Sequence, residues 1–120
     1  MKLMIVEDNA SMRQLIRSFV SDLADCIHEY SDGAQAFRGY AEHRPDWVLM
    51  DIKMTEVDGI AATRQITDAF PEANILIITD YDDRQLREAA RLAGARDYVL
   101  KENLIALRPL LLAASKASSD

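Results

Sequence analysis

Five polar residues that could act together each directly follow a short apolar run. Glu7 and Asp8 follow the first run, Asp51 the third, Thr79 the fourth and Lys101 the fifth. Such runs are typical of strands buried in a parallel sheet. Because ligands bind beyond the carboxyl ends of parallel strands, we expect these five side chains to face one crevice.

The three carboxylates predict a cation site. Glu7, Asp8 and Asp51 would repel one another if they converged alone, and their pKa values would rise. A bound cation removes this repulsion, and a ligand set made only of oxygen favours a hard ion, most simply Mg²⁺ or the similar Mn²⁺. Since Mg²⁺ takes few carboxylates, Asp51 can bind it through one oxygen and attack an electrophile through the other.

Lys101 and Thr79 indicate which electrophile this is. An ammonium, a hydroxyl and a metal around a nucleophilic carboxylate suit phosphoryl transfer, in which negative charge spreads over the equatorial oxygens. The expected product is an aspartyl phosphate on Asp51. Taken singly, each acid is more typical of a solvated loop or a helix cap, so the hypothesis rests on their coincidence.

The elements that must position these residues alternate along the chain. Strands are predicted over the apolar runs Leu3 to Val6, Cys26 to Tyr30, Trp47 to Met50, Ile75 to Ile78 and Tyr98 to Leu100. Helical periodicity fills the gaps, and Pro45, Pro71 and Gly94 mark the ends of three helices. This order indicates an α/β domain with a five-stranded parallel sheet, doubly wound with helices on both faces.

The first helix has the clearest apolar face. That face carries Met12, Leu15, Ile16, Phe19, Val20 and Leu23. We expect it to pack on the sheet, and we expect Cys26 in the core. The last helix should begin at about Leu104, but Pro109 deep in an unbroken helix would lose a hydrogen bond and clash with the preceding turn. Either Leu104 to Leu107 is a separate turn or, as we favour, Pro109 lies in the first turn of the helix.

Length and composition fit one domain over residues 1–120. The chain has 120 residues, enough for a single core, and a formal charge of −6, which argues against direct nucleic-acid binding. Cys26 is the only cysteine, so no internal disulfide can form. Without a signal peptide or a run long enough to span a membrane, we expect a soluble, cytoplasmic protein. Residues 115–120 are similar to the start of a linker to an output domain.

Motifs along essentially the whole chain resemble the receiver domain of two-component response regulators. The matching segments are "IVEDN" with Glu7 and Asp8, "LMDIKM" with Asp51, "DG" at 58 and 59, "IIT" with Thr79, and "GARDYVLK" with Tyr98 and Lys101. The resemblance implies the flavodoxin-like receiver fold with strand order 2-1-3-4-5. It also implies that a histidine kinase or phosphotransfer protein is the phosphoryl donor, and that the domain catalyses only its own phosphorylation and dephosphorylation.

The same resemblance implies a role for each matching residue. They are Glu7, Asp8, Asp51 and the Lys53 backbone carbonyl at the metal, and Thr79 and Lys101 at the phosphoryl oxygens. It further implies a switch in which Thr79 moves toward the phosphoryl group and Tyr98 turns inward. The surface of the fourth helix, fifth strand and fifth helix would then change partners, with homodimerisation as one outcome. The alternative for Tyr98 is a strand aromatic that simply packs against a helix.

Three positions depart from the family pattern. Glu102 follows Lys101 where the family usually has proline after a cis bond; a non-proline cis bond costs about 2.5–4 kcal/mol, so we expect a trans bond or visible strain. Thr55 replaces a usual proline, which predicts a more mobile loop. Asp80 follows Thr79 where a small residue is common, and it either opposes an incoming phosphoryl group or, as we favour, points to solvent.

Lys53 and Tyr81 predict a long-lived phosphoryl group. They lie two residues beyond Asp51 and Thr79, where the family places side chains that control the access of water to the phosphoryl group. We therefore expect slow self-dephosphorylation.

Other functions remain open on the same fold. A phosphorylation-independent interaction module, or pseudo-receiver, is an alternative to which the departures at Thr55, Asp80 and Glu102 point. A Mg²⁺-dependent phosphohydrolase of the haloacid-dehalogenase-like kind needs an acid two residues after the nucleophile, where this chain has Lys53. A flavin-binding electron carrier needs a glycine- or hydroxyl-rich phosphate loop, whereas "EDNAS" is acidic. The output is also open between DNA binding through another domain, enzyme control and relay to another histidine.

Overall fold

Strands and helices alternate along the chain, as predicted. The computed structural model describes residues 1–54 and 57–118. The strands are β1 Lys2–Val6, β2 Cys26–Tyr30, β3 Trp47–Asp51, β4 Ile75–Thr79 and β5 Asp97–Leu100. The helices are α1 Ala10–Val20, α2 Ala36–His43, α3 Gly59–Ala69, α4 Arg84–Leu92 and α5 Leu107–Ser118, with 3₁₀ turns at Ser21–Leu23, Gly33–Gln35 and Lys101–Ala106. In this described part the five strands are parallel, and their order β2-β1-β3-β4-β5 confirms the predicted doubly wound sheet.

Both faces of the sheet are buried, which is why β4 is apolar along nearly its whole length. Ile75 and Ile77 pack toward α2, α3 and α4, whereas Leu76 and Ile78 pack toward α1 and α5. These four side chains are at most 1% exposed. Burying each one stabilises the fold by roughly 1.5–3 kcal/mol. The strand is therefore held from both sides, and its carboxyl end, which carries Thr79, has a defined position.

Side-chain caps begin the three helices that follow the carboxyl ends of β1, β3 and β4. Asn9 Oδ1 accepts from the Met12 amide at 2.8 Å, and Asp58 Oδ1 accepts from the Ala61 amide at 2.8 Å. Asp83 caps α4 in the same way. Each cap contributes about 1 kcal/mol. Two of the loop acids, at positions 58 and 83, are thereby explained by helix capping.

Two predictions about burial were wrong. Leu15 is 45% exposed, because α1 packs on the sheet through Ile16 and Val20 with Met12 and Phe19 beside them, and Leu15 lies outside this stripe. Cys26 is exposed as well, because it is the first residue of β2, an edge strand that pairs only with β1 among the described strands. Its Sγ lies 3.8 Å from Nε2 of His28, two residues along the same strand.

The region after β5 is as expected in its main features. The Lys101–Glu102 peptide bond is trans. Pro109 is the third residue of α5 and so lies in its first turn, as favoured. The separate turn is present as well, because the 3₁₀ turn Lys101–Ala106 precedes α5, which therefore begins at Leu107 and not at Leu104. Thr55 lies outside the described residues, so the prediction of a mobile loop there stays a prediction. Among the described helices, none is both long and apolar enough to cross a bilayer.

Candidate functional site

Glu7, Asp8 and Asp51 meet at the carboxyl edge of the sheet. β1 and β3 are neighbours in register, with Val6 opposite Met50, so the residues that come next are adjacent as well. One oxygen of each carboxylate lies within 4.8 Å of the other two. Glu7 is completely buried, Asp51 is 5% exposed and Asp8 is exposed to solvent. The acid pair after β1 thus supplies one internal and one accessible carboxylate.

The turn after β3 fixes the orientation of Asp51. The Ile52 amide donates to Asp51 Oδ1 at 2.9 Å, and the Gly59 amide donates to the Ile52 carbonyl at 2.7 Å. A Cβ atom at position 59 would lie 1.8 Å from the Asp51 carbonyl oxygen. Only glycine therefore allows α3 to start so close to the end of β3. The "DG" pair has a structural reason, since Asp58 caps α3 and Gly59 permits the close approach.

Lys101 supplies the positive charge of the site. Its Nζ lies 2.7 Å from Glu7 Oε1, 3.4 Å from Asp51 Oδ1 and 4.0 Å from Asp80 Oδ2. The lysine side chain is only 11% exposed. One ammonium therefore faces several carboxylates in a poorly solvated place, and the site keeps an excess of negative charge.

Burial, first of all, and the neighbouring charged groups change the pKa values of the acids. Burial, a hydrogen bond with Glu7 and the charge of Glu7 raise the pKa of Asp51 to about 7. Burial would raise the pKa of Glu7 too, but hydrogen bonds with Asp51 and Lys101 bring it below its usual value. Burial and Glu7 raise the pKa of Asp8. Near neutral pH the Asp51 carboxyl thus retains a proton for part of the time.

The donor set suits a hard divalent cation. Glu7, Asp8 and Asp51 offer only oxygen, and their spacing within 4.8 Å is compatible with the oxygen–oxygen separations around Mg²⁺, whose ligands lie about 2.0–2.1 Å from the ion. A divalent cation would also replace the proton on Asp51 as the compensating charge. The contribution of the Lys53 carbonyl stays a prediction.

Thr79 and Tyr98 lie on the other side of the site. Thr79 ends β4, is 1% exposed, and accepts a hydrogen bond from the Tyr81 amide on Oγ1 at 3.3 Å. The Tyr98 hydroxyl donates to the Tyr81 carbonyl at 2.7 Å, and its ring packs against the core on the side of α2, α3 and α4. Tyr98 is therefore both a packed strand aromatic and a direct contact of the segment that follows Thr79.

A cleft of about 430 Å³ opens above Asp51. Lys53 Nζ lies 4.5 Å from the centre of the Tyr81 ring, so these two side chains meet at its mouth. Asp80 also lines the cleft; its side chain is 69% exposed, as expected, but its carboxylate faces Lys101 at 4.0 Å instead of pointing away from the site. An anion entering the cleft would meet Lys101 together with the charge of Asp80.

Two further residues support the site without having been identified from the sequence. Arg13 Nη1 donates to the Glu7 carbonyl at 2.7 Å, and its Nε lies 3.3 Å from a Glu29 carboxylate oxygen. The Asn9 amide donates to Glu7 Oε2 at 3.4 Å. The cap pattern of asparagine before an apolar helix could have identified Asn9. No sequence pattern identifies Arg13, because its contact with the Glu7 carbonyl depends on how α1 packs beside the end of β1.

Comparison with known proteins identifies the family. The response regulator receiver domain model matches residues 3–110. The transcriptional regulatory protein YhcZ of Bacillus subtilis (strain 168) is 38% identical over 104 residues, which are 85% of this chain and 49% of YhcZ. The chemotaxis protein CheY of the same strain is 37% identical over 101 residues, 83% of this chain and 84% of CheY.

A solved structure agrees with this assignment. The LuxR-family two-component response regulator from Aurantimonas sp. SI85-9A1 aligns with a TM-score of 0.83 and 30% identity, over 94% of this chain and 85% of that one. The chain spans about half the length of YhcZ and most of CheY. Since the family match extends from β1 into α5, it includes every strand end that contributes to the cleft. The chain belongs to the receiver domains of two-component response regulators.

Proposed function

We propose that this receiver accepts a phosphoryl group on Asp51 and thereby controls an output partner. The observation that carries the proposal is the position of Asp51, a nearly buried carboxylate in the floor of an open cleft with Lys101 Nζ 3.4 Å away. A carboxylate used only for stability would gain nothing from two neighbouring acids. A phosphoryl acceptor needs them to hold the cation that its transition state requires.

In the proposed reaction an Asp51 carboxylate oxygen forms a bond to phosphorus. The bond between phosphorus and the imidazole nitrogen of a donor phosphohistidine breaks, and the histidine leaves with the electron pair. Lys101 compensates charge on the phosphoryl oxygens, and Thr79, at the adjacent strand end, offers its hydroxyl to one of them. Attack of water on phosphorus later restores the Asp51 carboxylate and releases inorganic phosphate.

Glu7, Asp8 and Asp51 would hold Mg²⁺ or Mn²⁺, with the Lys53 carbonyl as a further ligand. When bound, the ion supplies positive charge to the phosphoryl oxygens. Arg13 keeps the backbone of Glu7 in place through its carbonyl. The proposed setting is the cytoplasm, where histidine kinases or phosphotransfer proteins act as donors.

The proposed output is a change in the surface formed by α4, β5 and α5. YhcZ is described as a transcriptional regulator and is about twice as long as this match, whereas CheY is a chemotaxis protein of similar length. Both a linked output domain and a separate partner are therefore consistent with the proposal. Homodimerisation after phosphorylation is the form of output that we expect with a linked domain.

Intact-mass measurement after incubation with acetyl phosphate and Mg²⁺ tests this function. We expect one phosphoryl group on the wild-type protein and none on Asp51→Asn or after chelation of the metal. Asp58→Asn is the matched control, because asparagine still caps α3, and it should be phosphorylated normally. The proposal fails if the wild type gains no phosphoryl group, or if Asp51→Asn still gains one.

Asp80 is the observation that favours a second candidate, a pseudo-receiver that works without phosphate. Its carboxylate lies 4.0 Å from Lys101 Nζ, where it can occupy the ammonium in place of a phosphoryl oxygen. If the domain is instead a working receiver with a hindered site, acetyl phosphate should phosphorylate Asp80→Asn about fivefold faster than the wild type. The reason is that the Asp80 carboxylate repels the incoming phosphoryl group, and two unit charges ~4 Å apart in water interact by ~1 kcal/mol.

The acceleration by Asp80→Asn should shrink with added salt, which screens exposed charges. Asp68→Asn removes a charge on α3, outside the lining of the cleft, and is the control that should leave the rate unchanged. Equal rates for the wild type and Asp80→Asn would mean that solvent already screens the repulsion between the Asp80 carboxylate and the incoming phosphoryl group. Lack of phosphorylation in both proteins would favour the pseudo-receiver.

The contact between Lys53 and Tyr81 predicts a slow loss of the phosphoryl group. The two side chains meet above Asp51 and reduce the space from which water can attack. Tyr81→Ala should therefore accelerate decay of the labelled protein severalfold, while Tyr81→Phe keeps the ring and should decay like the wild type. Loss of the phosphoryl mass with time measures the decay. If the wild type decays fast and Tyr81→Ala decays at the same rate, this role is refuted.

A further inference from the structure

The ring of Tyr98 is held by the segment that follows Thr79, residues 80–87, which we name the β4–α4 segment. The Tyr98 hydroxyl donates to the Tyr81 carbonyl at 2.7 Å. The guanidinium carbon of Arg87 lies 4.5 Å from the centre of the Tyr98 ring. The ring is therefore attached to this segment at its edge, by a hydrogen bond, and on its face, by a cation–π contact.

Arg87 has its own anchor within the segment. Its Nε donates to Asp82 Oδ1 at 3.1 Å, and its backbone amide donates to the Asp83 carbonyl in the first turn of α4. Leu86 packs against the core and Ala90 is buried, which places the neighbouring Arg87 on the flank of α4 beside β5. Asp82 holds the edge of the guanidinium and leaves one of its faces free to stack.

We propose that Arg87 is a positioning residue for Tyr98. Arg87 keeps the Tyr98 ring against the β4–α4 segment, so that the ring and the segment move together. The functional consequence rests on the proposed phosphorylation at Asp51: a movement near Thr79 would reach the outer surface of β5 through this ring. Without Arg87 the hydrogen bond to Tyr81 and the core packing can still hold the Tyr98 ring. Because one contact is lost, the ring should spend less time against the β4–α4 segment.

Fluorine NMR of protein labelled with fluorotyrosine measures the position of the ring. The chain has four tyrosines, and Tyr98→Phe assigns the resonance of interest. We expect Arg87→Met to move the Tyr98 resonance, with the ratio of the two ring positions changed about two- to fivefold, as for loss of an exposed cation–π contact. Asp82→Asn should move it less and in the same direction, and Arg87→Lys should restore part of the wild-type position.

Arg91→Met is the matched control. Arg91 lies on α4 as well, but its ion pair is with Glu88 of the same helix, so the Tyr98 resonance should stay in place. The inference is overturned if Arg87→Met leaves the resonance unmoved, if Arg91→Met moves it equally, or if Arg87→Lys resembles Arg87→Met. The measurement uses unphosphorylated protein, and the Asp51→Asn background should give the same result, so failure of the proposed phosphorylation would not affect it.

Discussion

Replacing Lys101 by methionine should reduce phosphorylation by acetyl phosphate at least ~10²-fold, the usual loss when one group that stabilises transition-state charge is removed. The same change should destabilise the fold by about 3–5 kcal/mol, because it leaves the buried Glu7 carboxylate without its cation. The basis is the Lys101 Nζ, 2.7 Å from Glu7 Oε1 and 3.4 Å from Asp51 Oδ1. Intact mass measures the first effect and urea denaturation the second.

A double variant separates the two effects of Lys101. In Lys101→Met with Glu7→Gln the buried Glu7 charge is gone, so most of the lost stability should return. Phosphorylation should stay at least ~10²-fold below that of the wild type, and Glu7→Gln alone measures how much of this loss comes from the missing metal ligand. Lys101→Arg is the control that keeps the charge and should lose less stability than Lys101→Met. If the double variant regained phosphorylation, Lys101 would have only a structural role. If Lys101→Met were as stable as the wild type, the ion pair with Glu7 would not matter for folding.

Replacing Asp51 by asparagine should stabilise the metal-free protein at neutral pH. The folded state raises the pKa of Asp51 from 3.8 to about 7, so folded protein binds a proton that unfolded protein releases. The stability of the wild type should therefore fall as pH rises from about 4 to about 7 and then level off. Glu7 acts in another window, because its lowered pKa removes stability only as pH falls below about 4.5.

At pH 7.5 we expect Asp51→Asn to raise the free energy of unfolding by on the order of 2 kcal/mol. Converting the whole pKa shift of Asp51 at 1.36 kcal/mol per pKa unit would give roughly twice this value. We expect about half because Glu7 and Lys101 titrate together with Asp51. Thermal unfolding in a metal chelator should show the difference growing between pH 4.5 and pH 7.5. Mg²⁺ should then raise the Tm of the wild type and leave Asp51→Asn nearly unchanged. A difference that does not depend on pH would contradict the raised pKa.

Most of the architecture was predictable from local patterns. The five apolar runs became the five strands to within one residue at each end, and Gly94 ends α4 with a positive φ of 107°. Pro109 was placed in the first turn of α5 for a purely local reason, the missing amide hydrogen. Leu15 was misjudged because periodicity reports which residues share a face but not how wide the contact of that face will be. Cys26 was misjudged because a local pattern does not report which strand lies at the edge of the sheet.

The candidate site was predictable as a set of residues. Glu7, Asp8, Asp51, Thr79 and Lys101 are all strand-end residues, and a parallel sheet brings its carboxyl ends to one edge. The family resemblance added Lys53, Tyr81 and Tyr98, and the domain's membership of the receiver family is now established. Their chemical roles remain the predictions that the variants above test.

The sequence by itself determined the sheet, the acidic crevice and the family, because alternation, proline and glycine act over a few residues and strand ends follow from them. Only the tertiary structure decided which of the two acids after β1 is buried, that Asp80 faces Lys101, and that Arg87 stacks on Tyr98. These contacts join residues that are distant along the chain. Their geometry depends on how α1, α4 and the strand ends pack against one another, which no local pattern encodes.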